Sequence, residues 1–311
     1  MTNVTNATVA DGQGVGTILN DDVTPIHDVQ GNGSSSPIVG SSVTIRGIVT
    51  GVTANGFFVQ EEDAEVDADP ATSEAIFVFT GSTPPVAAAF SARVEVTGTV
   101  TEFVPTSDPL QAPSTQLTAP TVTQVDPGQP LPAPIPVTAT FPDPAGPFDQ
   151  LERLEHMRVV VPSLTVTGPS RGLVDESGAT GTSNGRFHGV VTGVARPFRE
   201  PGIQAPTSPP PGGGSIPPIP RWDANAERIG VDSAAMTGQS PLTVKSGDIV
   251  APLVGPLDYA SRTYTVLLDR TATVTPGSLP TTVSAPAGDE ITVASVNVRR
   301  FFDTTRRSDS V

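Results

Sequence analysis

An acidic stretch at residues 61–69, EEDAEVDAD, contains side chains that could bind a metal ion. Carboxylates at alternate positions of a loop can bring several oxygen ligands to one Ca²⁺ ion. The candidate ligands are Asp63, Glu65, Asp67 and Asp69. A solvated acidic loop between two strands is the alternative, because the stretch lacks the central glycine and the distal bidentate glutamate of an EF-hand loop.

Arginines close to aromatic residues form a second group, suited to binding single-stranded nucleic acid. OB-folds hold single strands with arginines, which contact phosphates, and with aromatic rings, on which bases stack. The candidates are Arg46, Arg196, Phe198, Arg199, Arg221 and Trp222. In the alternative, the arginines pair with nearby acids, and strand alternation buries Phe57 or Phe58 in a core. A binding module would gather the arginines on one or two faces, whereas a structural spacer would scatter them among carboxylates.

The charge balance opposes tight binding of nucleic acid. The 311-residue chain has a formal net charge of −15 and one lysine, Lys245. Such a field repels polyanions, so contact with DNA would need local arginine clusters or bridging divalent cations. The sequence has no cysteine, which excludes thiolate chemistry. His27, His156 and His188 are scattered singly, and no nucleophile elbow, P-loop or zinc spacing occurs, so nothing indicates enzymatic activity of the chain itself.

The elements that must position these residues are mostly strands. Val, Thr, Gly and Pro recur in short alternating runs, which is typical of β structure. Residues 42–52, SVTIRGIVTGV, alternate as a strand does, and Gly47 and Gly51 indicate strong coiling. The runs GFFVQEE, AIFVFTG and RVEVTGTVTEF follow as further strands. Several short strands after a coiled first strand predict a small Greek-key barrel such as an OB-fold.

A second barrel of the same kind is predicted after a proline-rich segment. GVVTGV at 189–194 repeats GIVTGV at 47–52 with the same glycine spacing, which indicates two related barrels. One short helix is predicted at 149–157, with two leucines on one face and Asp149 as its cap. The proline- and glycine-rich stretch at 202–227 is expected to project as a loop.

The expected fold class is therefore all-β: two OB-like Greek-key barrels, proline-rich linkers and one short helix, with neighbouring domains cut at both ends. The predicted segments are a last strand of one domain at 1–22, the first OB-like domain at 23–125, a proline-rich linker at 126–148, the second OB-like domain at 149–275, a linker at 276–290 and the first strand of another domain at 291–311.

The N-terminal segment resembles part of a known family. ADGQGVGTILNDD, residues 10–22, is similar to the final strand of a Calx-β domain, a β-sandwich of secreted or surface-exposed proteins. In that family, aspartates at this exit help to bind Ca²⁺, so the resemblance makes Asp21 and Asp22 candidate Ca²⁺ ligands. The resemblance covers this strand alone, and we therefore expect the body of an upstream Calx-β domain to precede it.

The rest of the chain resembles a second family. IHDVQGNGSSSPIVGSSVTIRGIVTGV, followed by GFFVQEE and DADPATSEAIFVFTG, is similar to the OB-like region that precedes the catalytic domain in large secreted bacterial nucleases of the endonuclease/exonuclease/phosphatase superfamily. LERLEHMRVVV, RFHGVVTGV and GDIVAPLVGPLDY continue the likeness in order, so it covers roughly residues 25–311. ITVASVNVRRFFDT resembles the first catalytic strand, in which Asn297 is implied to be an Mg²⁺-site residue. Arg299 and Arg300 depart from the family pattern.

This resemblance implies a non-catalytic accessory region of a secreted, Mg²⁺-dependent DNA endonuclease or phosphodiesterase. Such a region would position DNA or hold the nuclease domain at a set distance from the Calx-β array. The remaining catalytic residues would follow Val311, so we expect no activity from this chain alone. The alternative is a structural β-domain spacer of an extracellular or cell-surface protein, which bound Ca²⁺ could stiffen. The extracellular location is implied by resemblance, since the N-terminus lacks a signal-peptide pattern, and no apolar stretch is long enough to span a membrane.

Overall fold

Most of the chain between residues 23 and 278 is described by a computed structural model. The described residues are 23–144, 146–175, 177, 180–195, 226–278, 288, 291 and 293. Several of the residues singled out above lie outside these ranges: Asp21, Asp22, Arg196, Phe198, Arg199, Arg221, Trp222 and Asn297. The strand predicted at 1–22 also lies outside the described residues.

The first part of the chain forms a closed barrel of five strands. The strands are β1 (Ser42–Val52), β2 (Gly56–Gln60), β3 (Ala75–Phe79), β4 (Arg93–Phe103) and β5 (Ser114–Asp126). Their order around the barrel is β1-β2-β3-β5-β4, and the pairs are antiparallel except for β3 with β5. A helix, α1 (Ile26–Gln30), precedes the barrel, and a 3₁₀ helix (Val86–Ala88) lies between β3 and β4. This arrangement confirms the prediction of a first OB-like barrel.

Strand β1 is long enough to pair with two neighbours. The part from Ser42 to Ile48 pairs with β4, and the part from Ile48 to Val52 pairs with β2. A side chain at position 47 would place its Cβ 2.5 Å from the Gln60 carbonyl oxygen. Gly47 therefore lets β1 pass close to the end of β2, which is where the strand coils from one partner to the other.

The second part of the chain forms a nine-stranded sheet and a separate hairpin. The strands are β6 (Ile135–Pro136), β7 (Arg158–Val161), β8 (Leu164–Gly168), β9 (Gly172–Asp175), β10 (Thr180–Ser183), β11 (Arg186–Val191), β12 (Ile229–Asp232), β13 (Ile249–Ala251), β14 (Leu253–Ala260), β15 (Thr263–Leu267) and β16 (Thr273–Thr275). Their order in the sheet is β16-β13-β8-β11-β12-β15-β14-β7-β6, while β9 and β10 form the hairpin.

The large sheet follows the same path as the first barrel. Strands β7 and β8 are consecutive halves of one run, interrupted at Pro162 and Ser163. One half pairs with β14 and the other with β11, as the two parts of β1 pair with β4 and β2. The parallel pair β12–β15 corresponds to β3–β5. The sheet therefore curls back on itself, which agrees with the all-β, OB-like fold class predicted for both parts of the chain.

The glycine repeat does not mark equivalent strands, although it suggested the second barrel. Gly47 lies in β1, the first strand of its barrel, whereas Gly189 lies in β11, which holds the second place in the other path. At both positions a Cβ would approach a carbonyl oxygen of the paired strand, at 2.6 Å from Thr165 in the case of Gly189. The repeat therefore reflects a shared need for close strand approach.

The predicted helix and linker differ in detail from the structure. The helix is a 3₁₀ helix (Phe148–Leu154) that buries Leu151 and Leu154, and Asp149 lies in its first turn rather than capping it. The segment expected to be a linker contributes β6 to the second sheet. The helices in the described part of the chain are too short and too polar to cross a membrane.

The two barrels pack against each other through a buried junction. His156 is 1% exposed and holds a positive φ of 64°. The Phe77 backbone N–H donates to His156 Nδ1 (3.2 Å), so Nε2 carries the proton and lies 3.3 Å from Ser114 Oγ. The His156 backbone N–H donates to the Leu257 carbonyl oxygen. One residue of the second part thus joins β3 and β5 of the first barrel to β14 of the second.

Two replacements of His156 distinguish the contribution of its hydrogen bond to stability from that of its side-chain volume. His156→Ala leaves the Phe77 N–H unpaired and opens a cavity, so we expect a loss of about 3 kcal/mol in the free energy of unfolding. In His156→Asn, the carboxamide oxygen can replace Nδ1 as acceptor, and asparagine tolerates a positive φ. We expect this variant to lose about 1 kcal/mol, measured by urea denaturation at pH 7. Equal losses in both variants would contradict the role of Nδ1.

The stability difference between wild type and His156→Asn is expected to depend on pH. Burial lowers the pKa of His156 from 6.5 to about 3. The unfolded chain therefore binds more protons at this site between these values, and wild type loses stability as the pH falls through this window. Denaturation at pH 7.5, 6 and 5 should show the advantage of wild type shrinking below pH 6.5. A constant difference would contradict a neutral, buried His156.

Candidate nucleic-acid interface

A cleft of about 470 Å³ lies between the two barrels. The first barrel lines it with β2, β3 and the loop at 53–55, and the second lines it with β11, β12 and the turn between β14 and β15. These strands hold the second and third places in the path of each barrel. In OB-folds, this face and the loops beside it bind oligonucleotides and oligosaccharides. The corresponding faces of the two barrels therefore lie on opposite sides of one cleft.

Three arginines line the second-barrel side of the cleft: Arg171, Arg186 and Arg228. The Arg171 backbone N–H donates to the Arg186 carbonyl oxygen (2.7 Å), which holds the chain before β9 beside β11. Arg186 Nε donates to Asp232 Oδ2 (2.6 Å). Within the described residues, no ion pair joins Arg171 or Arg228 to a carboxylate. Among the described residues, the cleft therefore has two cationic groups, Arg171 and Arg228, without a carboxylate in direct contact.

Burial and positive charge determine the state of His188 on β11. Burial lowers its pKa to about 4, and Arg228 and Arg171 contribute to the decrease. Burial, followed by the charge of Arg171, also lowers the pKa of the Arg228 guanidinium. His188 is therefore neutral at pH 7 and can accept or donate a hydrogen bond at the cleft wall. An anion bound near the arginines would offset the part of the decrease in the His188 pKa that their charges cause.

Aromatic rings line the first-barrel side of the cleft. Phe79 and Phe103 are 36% and 49% exposed, whereas Phe58 and Phe77 lie deeper, with ring centroids 4.9 Å apart. Exposed rings beside arginines are the combination that holds stacked bases above a phosphate backbone. Phe58 packs with Met236 between the barrels. Phe57, also buried, belongs to the core of the first barrel, as in the alternative in which strand alternation buries Phe57 or Phe58.

Two aspartates reduce the positive charge of the cleft. Asp232 pairs with Arg186, and Asp258 lies in the cleft wall on β14. Burial raises the pKa of Asp258 to about 6. Its charge is therefore partly lost in mildly acidic solution, where the cleft becomes more favourable to an anion.

Of the residues proposed from sequence as DNA contacts, Arg46 is the one that the structure describes, and it does not line this cleft. Arg46 lies on the outer side of β1, and its Nη2 donates to Glu95 Oε2 (2.9 Å). This is the paired arrangement expected of a spacer. Arg171, Arg186 and Arg228 were not identified from sequence, because their proximity depends on the order of the strands. Assigning β11 and β12 to the second and third barrel positions would have indicated Arg186, the first residue of β11, and Arg228, which directly precedes β12.

Three aspartates of the acidic stretch accept hydrogen bonds from backbone N–H groups. Asp63 accepts the Ala133 N–H (3.0 Å), Asp67 accepts the Asp69 N–H (2.7 Å), and Asp69 accepts the Ala71 N–H (2.9 Å). The fourth candidate ligand, Glu65, is exposed. The contacts of Asp67 and Asp69, each to the N–H two residues further on, match the turn-forming role of aspartate.

Within the described part of the chain, metal-ligating side chains converge at one place, formed by His27, Glu61 and Glu74. His27 and Glu74 lie outside the acidic stretch and were not proposed as ligands from sequence. Glu61 is the first residue of that stretch but was not included in the proposed ligand set. None of the three lines the cleft between the barrels.

Comparison with known proteins bears on the second part of the chain. Residues 138–277 match the model of a family described as a domain of unknown function (DUF8508). The match begins just after β6 and continues two residues beyond β16. No curated protein matches the chain.

Replacing Arg228 tests the electrostatics of the cleft. Arg228→Gln removes a positive charge near His188, so the pKa of His188 should rise from about 4 toward 6.5 without reaching it, because burial still lowers it. An NMR pH titration of the His188 Cε1 proton measures the change. Arg46→Gln makes the same change in net charge on the outer surface and should leave this pKa unaltered. An unchanged pKa in Arg228→Gln would contradict the proximity of the two side chains.

Proposed function

We propose that this chain is a non-catalytic module that binds single-stranded nucleic acid in the cleft between its two barrels. The observation that carries the proposal is the position of two arginines, Arg171 and Arg228, across one cleft from two exposed rings, Phe79 and Phe103. Neither arginine forms an ion pair with a carboxylate of the described residues. Arginines contact phosphates, and aromatic rings accept bases of any sequence. The expected preference is therefore for single strands with little sequence specificity.

Local geometry counteracts the unfavourable net charge. The chain carries a formal charge of −15, which repels a polyanion at long range. Screening shortens this repulsion to about 8 Å at physiological salt, so contacts within the cleft depend on its own charges. We therefore propose modest affinity that falls as salt increases, with association slowed by the acidic surface.

The resemblance to secreted nucleases suggests the wider role. We propose that the module presents a DNA strand to an Mg²⁺-dependent nuclease domain to which Asn297 would belong, downstream of a Calx-β domain that includes Asp21 and Asp22. An extracellular location belongs to the same proposal. In this scheme the two barrels position the substrate, and the metal-dependent cleavage of the phosphodiester bond takes place in the neighbouring domain.

A structural spacer is the second candidate, and two observations favour it. Arg46 is paired with Glu95, and the barrels are joined by a buried junction suited to hold two neighbours at a set distance. In this alternative the acidic surface serves solubility alone, with or without stiffening by bound Ca²⁺.

Binding of oligonucleotides distinguishes the two candidates. A labelled oligo-dT of about 15 nucleotides should bind at low salt, as fluorescence anisotropy can measure. The double variant Arg171→Gln, Arg228→Gln should weaken binding about tenfold or more, because it removes two charge-assisted hydrogen bonds to phosphates. It should also reduce the slope of log K against log salt by about 1.4, at about 0.7 for each phosphate that is no longer neutralised.

The matched control carries the same change in net charge away from the cleft. Arg46→Gln combined with Arg153→Gln removes two arginines that do not line it. This control should keep its affinity within about twofold of wild type, since only long-range charge is altered. Equal weakening in both double variants would point to a non-specific charge effect. The lack of any binding at low salt would favour the spacer.

A further inference from the structure

Three metal-ligating side chains meet at the end of the first barrel against which α1 packs. His27 lies on α1, Glu61 directly follows β2, and Glu74 directly precedes β3. His27 Nδ1 lies 3.0 Å from Glu61 Oε2 and 3.1 Å from Glu74 Oε2. One ligand atom from each side chain lies within 4.8 Å of the other two. The pairing of Gln60 with Ala75 brings the two glutamates side by side.

This cluster has more hydrogen-bond acceptors than donors, since His27 Nδ1 faces carboxylate oxygens of both Glu61 and Glu74. The side chains of Glu61 and Glu74 are 4% and 3% exposed. Two buried carboxylates at this separation repel each other, and burying charge is costly unless it is compensated. Nδ1 of His27 carries at most one hydrogen, which it cannot donate fully to both carboxylates. A divalent cation between the three atoms would compensate both carboxylates at once.

The surroundings hold the ligands in a suitable orientation. Asp67 Oδ2 lies 3.9 Å from Nε2, on the opposite side of the His27 ring from the glutamates. The Ile26 backbone N–H donates to Glu61 Oε1 and so leaves Oε2 to face the ring. In metal sites, the histidine ligand commonly presents its other ring nitrogen to a carboxylate, which determines the tautomer. A proton on Nε2 toward Asp67 would leave the Nδ1 lone pair free for a metal ion.

We propose that His27 Nδ1, Glu61 Oε2 and Glu74 Oε2 bind one divalent transition-metal ion of the Zn²⁺ or Mn²⁺ class, with water completing its coordination. One imidazole nitrogen and two carboxylate oxygens suit these ions. Ca²⁺ prefers six to eight oxygen ligands and fits this set less well. The site differs from the ligand set proposed from sequence, although Glu61 is the first residue of the acidic stretch and Asp67 of that stretch faces the histidine.

The position of the site indicates a structural role. Ile26 and Val29 of α1 are fully buried in the core of the barrel, and Gln30 Nε2 donates to the Ala75 carbonyl oxygen (2.5 Å). A metal ion bound to His27 and to both glutamates would fasten α1 to the adjoining ends of β2 and β3. Because a metal ion that binds the folded chain stabilises it, the bound state should melt at a higher temperature.

A shared proton is the competing explanation. Burial, followed by the neighbouring Glu61, raises the pKa of Glu74 to about 8. In that case a protonated group satisfies the cluster, and α1 is held by hydrogen bonds alone. The two explanations differ in whether the folded chain takes up a metal ion.

Metal titration of the full chain, after removal of bound ions with a chelator, decides between them. Isothermal titration with Zn²⁺ should show one ion per chain, and thermal melts should shift upward with Zn²⁺ or Mn²⁺ more than with Ca²⁺. Glu74→Gln and His27→Gln should each lower the Zn²⁺ affinity at least tenfold. Glu65→Gln is the matched control, because it removes one exposed carboxylate from the neighbouring loop and should bind as wild type does.

Several results would overturn the proposal. These are a wild-type chain that binds neither Zn²⁺ nor Mn²⁺, unchanged affinity in both Glu74→Gln and His27→Gln, and a Ca²⁺-selective site that is abolished in Glu65→Gln. If the variants fail to fold, Co²⁺-loaded wild type provides the independent measurement. Visible absorption bands of a four-coordinate nitrogen and oxygen site would support the proposal, and the spectrum of hydrated Co²⁺ alone would overturn it.

Discussion

Hydrogen bonds from the segment Glu155 to Arg158 set the relation between the two barrels. The Glu155 carbonyl oxygen accepts from Ser73 Oγ (2.6 Å), His156 Nδ1 accepts from the Phe77 N–H, and the Arg158 N–H donates to Gln60 Oε1 (2.8 Å). The segment continues directly into β7, which pairs with β14 and β6 of the second sheet. Because these contacts are buried, breaking any of them leaves an unpaired polar group in a poorly solvated environment. The orientation of the barrels is therefore strongly constrained.

That constraint creates the cleft. Each barrel turns its second and third strands toward the other, so the rings of the first face the arginines of the second. Among the described residues, neither barrel has the full combination alone. The arrangement differs from two modules on a flexible linker, in which the faces would meet only part of the time and binding would cost more conformational entropy. A pre-formed cleft can bind a weakly attracted polyanion despite the acidic surface around it.

The cluster of His27, Glu61 and Glu74 illustrates a different use of charge. In the cleft, Arg171 and Arg228 form no ion pair with a carboxylate of the described residues, which suits an anion. At the far end of the first barrel, two buried carboxylates share one imidazole nitrogen, which suits a cation. Both places hold like charges close together, an arrangement that shifts pKa values and is common at functional sites.

The alternation of apolar residues determined by itself that the chain is all-β, because a strand exposes successive side chains to opposite faces. The glycines of β1 indicated its coiling, and helical spacing placed Leu151 and Leu154 on one face, which the structure buries. The tertiary structure decided which strands are neighbours, and hence that Arg171 meets Arg228 and that His27 meets Glu74. These residues are far apart in sequence, and no local preference encodes their separation in space. The misleading glycine repeat has the same cause, since glycine reports close approach of strands without saying which strands approach.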